Sequence, residues 1–275
     1  MEQTIFTGSK LINGNDIYYE FYPHDQPKDT VLLIHGFLSS SFSFRRLIPL
    51  LRREYNVISI DLPPFGKSGK SLNFTYSYEN LAKSVIEFLR IMGFEKVHLI
   101  GHSMGGQISL NILHLYPSMV NKAILLCSSG YLQRSKRHLL LSSRIPFFHI
   151  YVKYHLARSG VLNNLKKVVH DQKMIDDEMI LGYTSPFLED DIFKALTRMI
   201  RDREGDLTAE KLNSIETPCL LIWGEHDRVV PLNVGKRLNK DLKNSDLIVF
   251  KDTGHLVPEE RPEDTTKYIR EFIAE

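Results

Sequence analysis

A serine with glycine two residues to either side, in Gly101-His102-Ser103-Met104-Gly105, lies between an apolar run at 97–100 and a helix-forming run at 107–116. In that setting the serine occupies a sharp turn from strand to helix. Its hydroxyl then stands clear of the sheet, and the unpaired first-turn N–H groups of the helix face whatever reacts there. The two glycines remove the side-chain volume that would keep strand and helix apart. The chemistry implied is nucleophilic attack. With glycine at about 7% of residues, three fixed positions match by accident in roughly one chain in ten of this length, so the context must carry the reading.

A serine hydroxyl attacks only when an imidazole takes its proton, and the imidazole needs an acid to fix its tautomer and stabilise its charge. Both follow downstream, in the order acid then histidine. The apolar run 219–223 leaves its strand at Gly224 and delivers Asp227 to the following loop. The next run, 247–250, leads to His255 through Lys251-Asp252-Thr253-Gly254. A turn carboxylate paired with Arg228 is the plainer account of Asp227 alone, and Glu225 is a competing acid. The ordered pair favours Asp227 and His255. His35, His102 and His226 are read as hydrogen-bonding to backbone or supporting groups. Charge on a tetrahedral intermediate needs preorganised N–H donors. Met104 supplies one at the helix start, and Phe37, in His35-Gly36-Phe37 after the run 31–34, supplies the other.

The elements that must position these residues are legible as alternation. Segments 4–11 and 16–22 flank Asn13-Gly14-Asn15 and read as an antiparallel hairpin. The continuous apolar runs 31–34, 57–60, 97–100, 123–127, 219–223 and 247–250 read as parallel strands covered on both faces. Helical patterns fall between them at 43–53, 77–92, 107–116 and 234–242, and at 263–274 behind Pro262. The class is α/β, with ligands bound beyond the carboxyl ends of the strands.

A chain of 275 residues with 43% hydrophobic and 25% charged residues is long enough for one large α/β core plus an insertion. A net charge of +2 argues against a dedicated nucleic-acid binder. The longest apolar run is far below a membrane span, so stable membrane insertion is not expected. The N-terminus carries Glu2 and no apolar segment of the secretory kind, and the expected location is cytoplasmic. Cys127 and Cys219 fall in apolar strands and read as reduced core thiols, neither beside a base. No metal-ligand spacing and no phosphate-binding glycine loop is present, so neither metal nor cofactor is expected.

The chain resembles the α/β-hydrolase family. The matching landmarks are His35-Gly36-Phe37, Gly101-His102-Ser103-Met104-Gly105-Gly106, Trp223-Gly224-Glu225-His226-Asp227-Arg228-Val229-Val230-Pro231 and Gly254-His255. The resemblance implies Ser103 as nucleophile, His255 as base, Asp227 as acid, and Phe37 and Met104 as oxyanion donors. One departure is Pro64, standing where many relatives carry the first glycine after Asp61. Proline cannot take positive φ, so that loop is expected to follow another path and reshape one pocket wall. Serine at the elbow argues against the aspartate-dependent dehalogenases and epoxide hydrolases of the family. Acyl transfer to water remains, and the reading is a carboxylesterase of small molecules. The alternatives are a carbon–carbon bond hydrolase of ring-cleavage products, whose members usually carry asparagine and tryptophan where His102 and Leu256 stand, or a lactonase, thioesterase or perhydrolase. A slow-turnover small-molecule receptor or signalling protein is the non-enzymatic alternative.

The alternation breaks between residues 131 and 213, which read as a helical cap on a core of residues 1–130 and 214–275. Phe147, Phe148, Tyr151 and Leu256 are read as lining the pocket. Residues 131–170 hold Arg134, Lys136, Arg137, Arg144, Lys153, Arg158, Lys166 and Lys167 and no acid. The acids that follow, Asp171, Asp176, Asp177, Glu178, Glu189, Asp190 and Asp191, are expected to neutralise them. The alternative is a positive field that steers anionic substrates or touches an acidic membrane surface. Oligomeric state is left open.

Overall fold

A computed structural model describes residues 4–26 and 28–275; residues 1–3, part of the N-terminal segment read above, lie outside the described residues. Strands β1 (Phe6–Ile12), β2 (Asn15–Tyr22), β3 (Thr30–Ile34), β4 (Asn56–Asp61), β5 (Val97–His102), β6 (Val120–Leu126), β7 (Cys219–Gly224) and β8 (Ser245–Phe250) form one sheet in the order β1-β2-β4-β3-β5-β6-β7-β8. β1 and β2 pair antiparallel, and β2 meets β4 antiparallel; from β4 to β8 every pairing is parallel. The hairpin turn uses positive φ at both Asn13 and Gly14, as a tight hairpin requires.

Helices α1 (Tyr78–Ile91), α2 (Met104–Leu115), α8 (Leu232–Asp241) and α9 (Pro262–Ala274) flank the sheet. Between β6 and β7 stand α3 (Arg137–Ser142), α4 (Phe148–Ser159), α5 (Val161–Val168), α6 (Asp177–Thr184) and α7 (Asp191–Asp202). The central strands β3, β5 and β7 are buried at every residue, which explains their unbroken apolar sequence. Among the described residues no helix is long and apolar enough to cross a membrane.

Two expectations need correction. The helix expected at 43–53 is broken into a 3₁₀ turn, Ser41–Phe44, capped by Ser40, and a single α turn, Ile48–Leu51. Pro49 has no N–H for a continuous ladder and is tolerated only in the first turn of the second piece. β8, expected to be covered on both faces, is an edge strand that pairs with β7 alone and is half-exposed.

For the loop after Asp61, the expected reshaping of a pocket wall is not met. Asp61 Oδ1 accepts the Ser41 N–H at 2.7 Å and Oδ2 accepts the Lys67 N–H at 2.8 Å, with Gly66 supplying the positive φ instead of residue 64. The loop lies behind the pocket and contributes no lining residue. Its Phe65 packs edge-on against Phe37, a lining residue, at 5.5 Å between ring centres.

Candidate active site

Ser103 joins β5 to α2 with φ 53° and ψ −115°, a conformation a non-glycine residue adopts only under constraint. The constraint is local. Ser103 N–H donates to Leu126 O at 2.9 Å, and Ser103 O accepts the Ser129 N–H at 3.0 Å, so both neighbours on the β6 side hold it. A Cβ on Gly101 would lie 2.6 Å from Gly105 O, and one on Gly105 would overlap the Ile34 carbonyl. Strand, turn and helix therefore close only with glycine at both positions.

Asp227 and His255 come together from the ends of β7 and β8. The two loops are laced by Glu225 N–H to Phe250 O and His226 N–H to Thr253 O, both 2.9 Å. Within that frame His255 Nδ1 donates to Asp227 Oδ2 at 2.7 Å, and Asp227 Oδ1 accepts the N–H groups of Val229 and Val230 at 2.8 and 2.9 Å. Burial pushes the Asp227 pKa up, but the bond and charge of His255 and the two amides outweigh it and hold the carboxyl below its usual range. With Nδ1 committed, His255 Nε2 is the free acceptor. Glu225, the competing acid, is exposed.

His35 and His102 are supporting groups, as read from the sequence. Leu62 N–H donates to His35 Nε2 at 2.8 Å, and Nδ1 donates to Gly36 O at 2.7 Å. His102 Nε2 donates to the His255 carbonyl at 2.9 Å. Burial, with the nearby His255 charge adding to it, drives the His102 pKa down to about 3. It is therefore a neutral spacer beneath the His255 ring, 4.8 Å away between ring centres.

His226 differs from that reading. It is exposed and stacks on His170 at 4.5 Å between ring centres, and both face Asp252, with donor atoms of all three within 4.8 Å of one another. Sequence spacing hid this group because its members lie on three loops. Cys127 also differs, since its sulfur lies within 4.8 Å of the nearest Asp227 and His255 donor atoms. Burial, with the Asp227 charge adding to it, pushes the thiol well up, so it remains protonated and is no nucleophile.

A cavity of about 610 Å³ opens over Ser103, walled by core residues such as Phe37, Met104 and Val230 and by Phe148, Tyr151 and Leu196 from between β6 and β7. Phe37 and Met104 flank Ser103 on the same wall. Phe148 and Tyr151 line the cavity as expected, but Phe147 and Leu256 do not. Phe147 sits at positive φ before α4 and turns outward, 73% exposed. Leu256 is buried in a separate apolar cluster with Leu165, Val169, Met179 and Tyr183. Sequence reasoning missed Arg203, the only Lys or Arg among the described lining residues; three arginines lie between 198 and 203, and nothing in their spacing marks which one faces the cavity.

Comparison with known proteins places this geometry among relatives. An uncharacterized hydrolase, YugF, of Bacillus subtilis (strain 168) is 53% identical over 262 residues, covering 95% of this chain and 96% of that protein. A 2-hydroxy-6-oxo-6-(2'-aminophenyl)hexa-2,4-dienoic acid hydrolase of Metapseudomonas resinovorans is 28% identical, over 89% of this chain and 83% of that protein. Among solved structures, a membrane phospholipase A described as a bacterial virulence factor superimposes with a TM-score of 0.78 at 25% identity, covering 98% of this chain and 86% of that one. The family model described as alpha/beta hydrolase fold matches residues 29–150 and 191–262. A nucleophile-type elbow on a mainly parallel sheet, a coverage of this extent and a near full-length relative lead to one assignment: the chain belongs to the alpha/beta hydrolase family.

Proposed function

We propose that the chain is a serine hydrolase cleaving carboxylic esters of small, largely apolar molecules through an acyl-enzyme on Ser103. The observation that carries this is the 2.7 Å bond from His255 Nδ1 to the buried Asp227 carboxylate, beside a strained serine that opens on a mostly apolar cavity. His255 Nε2 takes the Ser103 proton as Oγ attacks the carbonyl. The N–H groups of Phe37 and Met104 hold the oxyanion, and His255 returns the proton to the leaving alcohol. Water, activated by the same imidazole, then releases the acid. The helices of residues 131–213 act in this reading as a cap that sets which esters reach Ser103.

The test is hydrolysis of p-nitrophenyl esters from acetate to palmitate, wild type against Ser103→Ala. Turnover lost in Ser103→Ala, together with loss of fluorophosphonate labelling, is the expected result. Labelling without ester turnover would reject an esterase. The second reading, carbon–carbon bond hydrolysis, is favoured by the 28%-identical dienoic acid hydrolase and by Arg203, a cation placed to hold a substrate carboxylate. Cleavage of a 2-hydroxy-6-oxo-dienoate with kcat/KM above that for every ester would establish it instead.

A further inference from the structure

The expectation that the acids after residue 170 neutralise the basic run fails. Of its eight cations only Lys153 meets a carboxylate among the described residues, Asp190 at 2.5 Å. Asp176, Glu178 and Glu189 pair instead with Arg46, Arg45 and Lys70. Of the seven cations left unpaired in that run among the described residues, Arg144 meets a second basic group. On α7, Lys194, Arg198 and Arg201 follow at i, i+4 and i+7 and so share one face, while Ile192, Phe193, Leu196 and Met199 are buried on the other. That basic face, with Arg144 and His149 opposite it, lines a recess of about 360 Å³ that contains no carboxylate.

Two neighbouring acids touch the cluster from outside. Asp191 pairs with Lys194 at 2.8 Å and Asp202 lies 3.6 Å from Arg198 Nε, which leaves Arg144 and Arg201 without an ion-pair partner among the described residues. Nε of Arg198 and Nε of Arg201 are buried with no hydrogen-bond partner among the described residues. Burial, with the charges of Arg198 and Arg144 adding to it, lowers the Arg201 pKa against the opposing pull of Asp202. The rim is apolar. Ile145 and Phe147, 62% and 73% exposed, stand beside Arg144, and the exposed Ile150 and Tyr154 continue along the outer face of α4.

We propose that Arg144, Lys194, Arg198 and Arg201 form a binding site for a phosphate group. Planar guanidinium forks match phosphate oxygens two at a time, which a diffuse positive field does not require. Exposed apolar side chains beside the cations add the element that a free phosphate does not need and a phospholipid headgroup at a membrane surface does. The site is separate from Ser103 and does not rest on the reaction proposed above.

Co-sedimentation with vesicles of phosphatidylcholine containing phosphatidic acid, and calorimetric titration with glycerol 3-phosphate, distinguish the two sources of phosphate. The decisive variant is Arg198→Lys with Arg201→Lys, which keeps the charge and removes the forks. A loss of vesicle binding of roughly 10- to 30-fold in that variant, with none in Lys166→Gln/Lys167→Gln, is expected. One charge-assisted hydrogen bond lost at each of the two guanidinium groups, about 0.7–1 kcal/mol apiece, sets that scale. Saturable glycerol 3-phosphate binding lost in the same variant, with vesicles ignored, assigns the site to soluble phosphates. Arg144→Gln, on the loop before α4, repeats the test should the α7 variant fail to fold. Binding that follows total charge alone, no saturable binding of either probe, or a dimer formed through Ile145 and Phe147 overturns the proposal.

Discussion

Asp227 is held by three donors, and only one of them belongs to the chemistry. The Val229 and Val230 N–H groups would donate to asparagine's oxygen as they do to the carboxylate's, so Asp227→Asn should fold normally. It would, however, favour the wrong tautomer of His255 and leave the imidazolium unpaired. Ester kcat is expected to fall by about 10⁴-fold with an unchanged melting temperature; a loss of less than tenfold would remove Asp227 from the proposed triad. At this scale the sequence was informative where chemistry fixes both residue type and order, as for Ser103, Asp227 and His255. It was uninformative where adjacency arises across the sheet. Cys127 follows the last residue of β6, and the parallel pairing of β6 with β7 brings its sulfur close to Asp227. Leu256 follows His255 directly, yet the tight turn into Val257–Glu260 directs its side chain into the Leu165 cluster and away from the cavity.

The β5–α2 elbow depends on backbone approach, and Gly105→Ala tests it. The added methyl meets the Ile34 carbonyl, which cannot move without breaking the pairing of β3, and a loss of about 1–3 kcal/mol or more is expected in denaturant titration. Asp206 has a comparable role at the base of the helices between β6 and β7. Its Oδ2 accepts from Leu132 N–H at 3.1 Å and Ser129 Oγ at 3.3 Å, and its own N–H donates to Leu132 O at 2.8 Å, closing the two ends of that segment on each other. Burial raises its pKa to about 6, against the opposing pull of the Leu132 amide and Arg203. The folded chain thus keeps a proton that the unfolded chain releases near pH 4. Stability from this group is complete below about pH 4 and is lost as pH rises through 6, on the order of 2–3 kcal/mol. Asp206→Asn should flatten that slope in melting curves between pH 4 and 7; an unchanged slope would show that another group carries it. Element type was legible wherever an apolar run or a helical period was long. It failed at Pro49 and at β8, where one missing N–H and one missing neighbour strand decide the outcome, and neither is a property of the local pattern.

Over the whole molecule, the cavity belongs to neither layer alone. Its floor is the sheet end and its roof is α4 and α7, so substrate size is set by roof residues that no motif announces. Met199→Trp should shift the p-nitrophenyl ester optimum to shorter acyl chains by several carbons without altering fluorophosphonate labelling of Ser103; an unmoved optimum would place the acyl chain elsewhere. Arg203→Gln should lower kcat/KM for esters carrying a carboxylate and spare neutral ones of the same shape. The α/β class and the strand alternation were readable because they follow from burial periodicity. The roof was not, because α7 carries cations on one face and apolar residues on the other, and its partner surfaces are set by tertiary packing. Two hydrogen bonds tie the end of α5 to the His255 loop: His255 N–H donates to Val168 O at 2.7 Å, and His170 N–H donates to Glu260, whose carboxylate also accepts the Gly254 N–H. His255, the base in the proposed reaction, is therefore moored to the end of α5. An insertion borrowed from a relative to change specificity would have to bring a carbonyl to that same point, so exchange of the whole 131–213 segment is a poor engineering route. Grafts that stop before residue 168 leave the mooring intact, and the same rule would have limited which insertions this lineage could acquire.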